Sequence, residues 1–227
     1  VGRQLTAQAI PHFEDEHGNL VVGVDSPRAY RQRLRQRSTE PLRVFIAHMD
    51  HPGFHATRWL NDTTLAVRWL GGSPVKHLRG ASVWVGCEEG EVAQGRLAKA
   101  ILTKAGRSIE TAQVLLPGDA LRNRFRGARR LHGGFAFRAP AWRRGKRVYA
   151  RAADDLAGVH AIIETARRLR RRKASSHFLG LLTRGEEVGF VGAVLHLEGG
   201  WFEAARRPVV AVSLETSRTL PGAVIGG

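Results

Sequence analysis

Six of the 20 acidic residues stand at the ends of apolar runs or at the head of a helix-like segment, and one histidine stands with them. His48 and Asp50 follow the run Val44–Ala47, and Asp154 and Asp155 open a segment with helical spacing. Glu186 and Glu187 follow Phe178–Thr183, and Glu215 follows Val209–Leu214. His48-x-Asp50 puts two side chains on one face of an extended segment. Several ionised carboxylates cannot share a small space unless cations neutralise them. Two divalent ions would do so, and mixed histidine and carboxylate donors suit zinc, cobalt or manganese. Taken singly, each motif has an ordinary role: a surface pair, a helix N-cap, or first-turn acids matched to the dipole. Their succession at consecutive strand ends is what points to a metal centre, because ligands of open α/β sheets gather at the carboxyl ends of the strands.

The elements that must position these groups can be read from the same runs. Residues 10–24 suggest a β-hairpin around a polar turn, and 28–38 an Arg-rich helix or exposed loop. Leu42–Ala47, His177–Thr183 and Pro208–Leu214 are short apolar runs of the buried-strand kind. Asp155–Lys173 carries Val159, Ile162, Ile163, Ala166 and Leu169 at helical spacing, and Glu186–Gly200 also reads as helical. This strand and helix rhythm predicts a three-layer α/β domain around a mostly parallel sheet. Residues 57–138 differ in texture, with short β-type runs at Thr64–Trp69, Ala81–Gly86 and Phe135–Arg138 between Gly and Pro punctuation. They predict a small inserted β-rich domain, 57–138, between two parts of one catalytic domain, 1–56 and 139–227.

Composition excludes several classes. Hydrophobic residues make up 43% and charged residues 25%, which is globular rather than disordered or fibrous. One cysteine, Cys87, rules out an intrachain disulfide framework and reads as a small buried side chain. No stretch approaches 18 consecutive apolar residues and no signal peptide opens the chain, so a cytoplasmic location is expected, with no membrane partner. The net charge of +16 comes from 36 Lys+Arg, mostly Arg. Such an excess serves either nucleic-acid binding or a solvated, Arg-biased surface. The runs Arg122–Arg130 and Arg167–Lys173 and the scattered tryptophans show no base-stacking pattern, which disfavours nucleic acid as a partner. His51 and His55 read as solvated loop residues.

The motifs AHMDHPGF at 47–54, ADDLAG at 153–158, EEVGFVGA at 186–193 and LETS at 214–217 resemble the co-catalytic metallo-aminopeptidases. The resemblance is to the glutamyl aminopeptidase group that includes the TET aminopeptidases, peptidase family M42. A separation of about a hundred residues between His48 and Asp154, filled by a β-rich segment, resembles that group's inserted barrel-like domain. The resemblance implies a metal-dependent aminopeptidase that cleaves N-terminal residues from peptides through a water bridged by two divalent ions, zinc or cobalt. It implies His48 and Glu215 as ligands of one ion, Asp154 as the bridge, Glu187 on the second ion and Glu186 as general base. Asp50 would orient the His48 imidazole, and Asp155 would neighbour the bridge. It also implies homo-oligomers. The alternatives are another amide hydrolase on this scaffold, a deacylase or carboxypeptidase, or a non-catalytic basic protein that binds nucleic acid. Two departures stand out. Glu215 replaces the family's usual Asp, and the family's last histidine ligand and N-terminal helices have no counterpart in residues 1–227. The chain is therefore expected to be the middle of a longer protein, weak in binding the second ion and poorly active by itself.

Overall fold

The computed structural model describes residues 1–137, 141–173, 177–216 and 222. In chain order the first elements are α1 (Gly2–Ala7), β1 (His12–Glu14), β2 (Leu20–Val22), α2 (Pro27–Arg35) and β3 (Leu42–His48). The strands β4 (Gly53–Asn61), β5 (Thr64–Leu70), β6 (Ser82–Cys87), β7 (Gly90–Leu102) and β8 (Ile109–Leu115) follow. Next come α3 (Ala120–Arg124), β9 (His132–Phe135), β10 (Ala141–Arg144) and β11 (Arg147–Ala150). The chain then continues through α4 (Ala153–Arg171), β12 (Phe178–Thr183), α5 (Val191–Glu198) and β13 (Val209–Ser213). Two compact units result, Val1–Asp50 with Ala152–Gly227, and His51–Arg151. These borders differ from the expected 56/57 and 138/139. β4 already starts at Gly53, and the β10–β11 hairpin belongs with the second unit. Arg138, within one expected strand, lies outside the described residues.

The second unit is a closed six-stranded barrel in the order β4-β5-β8-β7-β6-β9. Its interior is filled by Phe54, Leu65, Val67, Val83, Val85, Leu97 and Val114, with Cys87 buried among them as a free thiol. Alternation of inward apolar and outward polar residues along β5 and β8 follows from the two-residue period of a strand.

The first unit is built on one five-stranded sheet in the order β1-β2-β12-β3-β13. β12, β3 and β13 are parallel, whereas β2 adds antiparallel to the edge of β12 and β1 adds antiparallel to β2. Both faces are covered. Val21, Leu42, Val44, Leu179 and Leu181 pack with Tyr30 and Leu34 of α2. Leu20, Val22, Ala47, Phe178 and Leu182 pack with Val159, Ile162, Ile163 and Ala166 of α4. Gly180 permits the second contact, because a side chain there would collide with Ile162. Register matters most at one end. Thr183 pairs with His48, and Ser213 pairs with Ile46. The segments leaving β3, β12 and β13 therefore emerge side by side at the carboxyl edge.

The segment after β12 differs from the expected helix. Residues 184–190 form a loop, and α5 begins only at Val191. Gly185 and Gly189 take φ of +72° and +110°, and Phe190 is left-handed, conformations that interrupt a right-handed helix.

A buried polar chain ties the β1–β2 turn to α2 and α5. His196 Nδ1 lies 2.8 Å from Asp15 Oδ2, and its Nε2 lies 3.1 Å from the Tyr30 hydroxyl. Burial holds the His196 pKa below its ordinary 6.5, and the attraction of Asp15 only partly offsets it. Burial alone would raise the Asp15 carboxyl, but hydrogen bonds from Asn19, His196 and His17 bring it below 3.8. A neutral His196 thus donates from Nδ1 to ionised Asp15 and accepts from the Tyr30 hydroxyl. Both shifts have the same sign for stability. The unfolded chain takes up each proton first, so stability is complete above pH 6.5. It falls as pH drops through 6.5, and again below 3.8. Urea unfolding at pH 7.5 and 5.5 should show this loss in the wild type and a smaller one in a His196→Gln variant. Equal pH dependence in the two proteins would contradict the assignment.

Candidate metal centre

The parallel register brings four expected residues to one place. His48 ends β3, and its side chain is buried at 3% exposure. Its Nδ1 lies 3.1 Å from the main-chain carbonyl of Asp50, which accepts the Nδ1 hydrogen and turns Nε2 toward the carboxylates. Nε2 lies 3.3 Å from Asp154 Oδ1, 3.9 Å from Glu215 Oε1 and 3.9 Å from Glu186 Oε2. Asp154 stands in the first turn of α4, where Asp154 and Asp155 depart from helical φ and ψ. Glu215 follows β13, and the main-chain N–H of Leu214 donates to the carbonyl of Ile46 on β3. Donor atoms of His48, Asp154 and Glu215 all lie within 4.8 Å of one another.

The remaining expected residues sit around this group in different ways. The carboxylate of Asp50 is 3.8 Å from His48 Nδ1, and its nearer contacts are elsewhere. It accepts the main-chain N–H of Glu186 at 3.2 Å and of Glu187 at 3.1 Å. Asp50 thus meets the imidazole through its carbonyl and holds the glutamate loop through its side chain. Asp155 is buried and turns back on its own helix, accepting the N–H of Gly158 at 3.1 Å. Glu187 is half-buried beside Glu186 but is not among the three donors that converge.

The electrostatics are those of anions crowded without enough counter-charge. Burial raises the Glu187 carboxyl, and the charge of Glu186 adds to it. Burial also raises Glu215, and so does its hydrogen bond with Asp154. Asp154 moves the other way. Its burial is outweighed by hydrogen bonds with Glu215, Thr216 and His48. Burial would lower His48, yet the Asp50 carbonyl and the charges of Glu186 and Asp50 overcome it and the net shift is upward. The hydrogen bond between Asp154 and Glu215 lowers the one carboxyl and raises the other, as expected of two acids crowded where a cation would serve both.

This donor set fits a divalent ion. Ligand atoms at about 2.0–2.1 Å from a tetrahedral zinc lie roughly 3.3–3.4 Å apart. The His48–Asp154 separation of 3.3 Å matches that figure, and the His48–Glu215 separation of 3.9 Å needs only a small side-chain movement. Imidazole with carboxylates is the chemistry of zinc, cobalt or manganese sites.

Elsewhere the expected readings can be placed in the fold. His55 lies on β4 opposite His132 of β9, with ring centres 6.0 Å apart. In the arginine runs, Arg124 pairs with Glu89, Arg122 lies over Trp59, and Arg167 and Arg168 pair with Glu164. Ser217, the last residue of the LETS motif, lies outside the described residues. The sequence assigns no role to His196, which lacks the context of a metal ligand, and none to Asp15 or Asn19. Asp15 and Asn19 looked like turn residues, and their partners lie far along the chain, 165 positions away for Asn19 and Arg184.

A model of the M42 glutamyl aminopeptidase family matches residues 134–212, so the resemblance carried by the motifs is to this same family. No curated protein matches the chain. Solved structures share its fold. An aminopeptidase from the archaeon Desulfurococcus kamchatkensis is 21% identical, with a TM-score of 0.66 over 98% of this chain and 58% of its own. The TET1 peptidase of Pyrococcus horikoshii, which can assemble into a tetrahedron or a large octahedral shell, is 21% identical with a TM-score of 0.67. That match covers 95% of this chain and 62% of the other. A TET aminopeptidase from the marine sediment archaeon Thaumarchaeota archaeon SCGC AB-539-E09 is 19% identical, with a TM-score of 0.65 over 94% of this chain and 58% of its own. The chain thus spans about three-fifths of the length of the structures it matches.

Proposed function

We propose that this chain carries most of the active centre of an M42-type metallo-aminopeptidase that releases N-terminal residues from peptides. The observation that carries this reading is the convergence of His48, Asp154 and Glu215 within 4.8 Å at the carboxyl edge of a parallel sheet. In this reading the first unit is the catalytic domain and the barrel is an insertion into it. His48, Asp154 and Glu215 hold one divalent ion, zinc or cobalt, and Asp154 with Glu187 serves a second. When bound, such ions act as Lewis acids toward the scissile carbonyl and make water acidic near neutral pH.

The chain's own groups do the rest. Glu186 is the general base: its carboxylate lies near the His48 ring, takes a proton from the attacking water and returns it to the leaving amine. Asp50 fixes the main chain beneath Glu186, and its carbonyl fixes the His48 tautomer. Among the described residues no helix is long and apolar enough to cross a membrane. The reading places the protein in the cytoplasm as a homo-oligomer.

The test uses the full-length protein and a panel of aminoacyl-anilides with free or acetylated N-termini. Cleavage of free N-terminal substrates, lost with a chelator and restored by zinc or cobalt, is the expected result. Cleavage confined to acetylated substrates indicates a deacylase. Chelator-resistant activity contradicts the metal reading.

A further inference from the structure

We propose that Asn19 is a positioning residue for Glu186 and Glu187, acting through the loop that carries them. The inference rests on the reading of those glutamates as base and ligand. Asn19 is fully buried, at 0% exposure, in the turn between β1 and β2. Its Oδ1 accepts the main-chain N–H of Arg184 at 3.2 Å, and its Nδ2 donates to the carbonyl of Gly192 at 3.0 Å. Those two residues are the ends of the loop. Gly192 N–H donates to the Arg184 carbonyl at 2.8 Å, and Val191 N–H to the Gly185 carbonyl at 3.0 Å. One side-chain amide thus closes the base of the loop from both sides, as a peptide group of a neighbouring strand would.

The residue type follows from this geometry. The position needs one acceptor and two donors at once, since Nδ2 also donates to Asp15 Oδ2 at 2.8 Å. Only a carboxamide supplies that set, and Asp would offer acceptors alone. Asp15 holds Asn19 in turn, accepting its main-chain N–H at 2.9 Å. Gly192 completes the fit, because a side chain there would collide with the Arg184 carbonyl and with Asn19 Oδ1. At the tip of the loop the Asp50 carboxylate receives the N–H groups of Glu186 and Glu187. The loop is therefore held at its base by Asn19 and at its tip by Asp50. His48, Asp154 and Glu215 come from other elements and do not depend on the clamp.

The test compares Asn19→Ala with Tyr30→Phe, which removes the hydroxyl bonded to His196 from the same buried chain but leaves the loop contacts intact. Three readouts are taken on the full-length protein. Hydrogen exchange at the amides of 184–192 should rise at least about tenfold in Asn19→Ala, since these amides open with their local unfolding equilibrium. Cobalt titration, followed by its absorption bands, should show the tighter ion retained and the weaker ion lost or bound at least about tenfold more weakly. The kcat for an aminoacyl-anilide should fall by about 10²-fold with little change in KM, the cost of misplacing a catalytic group by about an ångström. Tyr30→Phe should leave all three near wild type. If Asn19→Ala does not fold, Gly192→Ala disturbs the same clamp from its other end and carries the same expectations. Should Asn19→Ala and Gly192→Ala match Tyr30→Phe in every readout while the wild type binds cobalt and turns over, the inference fails and the functional reading stands. A wild type that neither binds cobalt nor hydrolyses the substrate overturns the functional reading, and the inference with it.

Discussion

A Glu186→Gln variant of the full-length protein loses about 10²- to 10⁴-fold in kcat while binding its metal ions as before. The substitution preserves shape and leaves the main-chain N–H that Asp50 holds. What disappears is a carboxylate able to take a proton at the mouth of the site, 3.9 Å from His48 Nε2. Steady-state kinetics across pH, together with metal content by emission spectroscopy, decide the matter. Near-normal turnover shows that Glu186 is not the base. Loss of metal together with activity reassigns it as a ligand.

His48→Ala has the second large effect, and it reads out in binding rather than rate. Nε2 is the one nitrogen in the donor group, presented by a ring whose other nitrogen is tied to the Asp50 carbonyl. Partners that merely orient a ligand cost about 10- to 100-fold in metal affinity when removed. Removing the ligand itself should exceed that range. Titration of the metal-free protein with zinc against a competing chelator measures it directly. Asp50→Asn serves as the internal comparison: its carbonyl still orients the ring, so its loss should stay within the smaller range and report on the glutamate loop. Equal zinc affinity in His48→Ala and wild type would remove His48 from the site.

How much of this was legible beforehand depended on whether the deciding contacts are local. Phe178–Thr183 is apolar along its length and buried throughout, and Leu42–Ala47 departs from that only at Arg43. Val209–Leu214 reads the same way in sequence, yet β13 is the edge strand of the sheet and its residues are exposed or half-buried, so the buried strand expected there is an edge strand. Once three such strands run parallel, the residues just after them must share an edge, so His48, Glu186 and Glu215 could be grouped without coordinates. The helix at α4 was equally plain from Val159, Ile162, Ile163 and Ala166. The long strand β7 was not, because Glu91, Gln94, Arg96 and Lys99 break its alternation and its pairing with β8 shifts register. Closure of the barrel is a non-local property that no run of residues announces. The loop at 184–190 misled for a different reason. Paired glutamates resemble a helix's first turn, and the positive φ values of Gly185 and Gly189 that forbid the helix emerge only in the fold. The antiparallel addition of β1 and β2, which brings Asn19 under that loop, was hidden for the same reason. A polar turn of Asp15 and Asn19 shows no partner until α5 packs against it.

Anomalous diffraction at the zinc edge, from crystals of the protein grown with zinc, tests the central claim most directly. The expected result is a peak within about 2.0–2.2 Å of His48 Nε2 and of carboxylate oxygens from Asp154 and Glu215. A zinc-loaded protein whose peaks lie only at other residues, with His48, Asp154 and Glu215 unliganded, would contradict it.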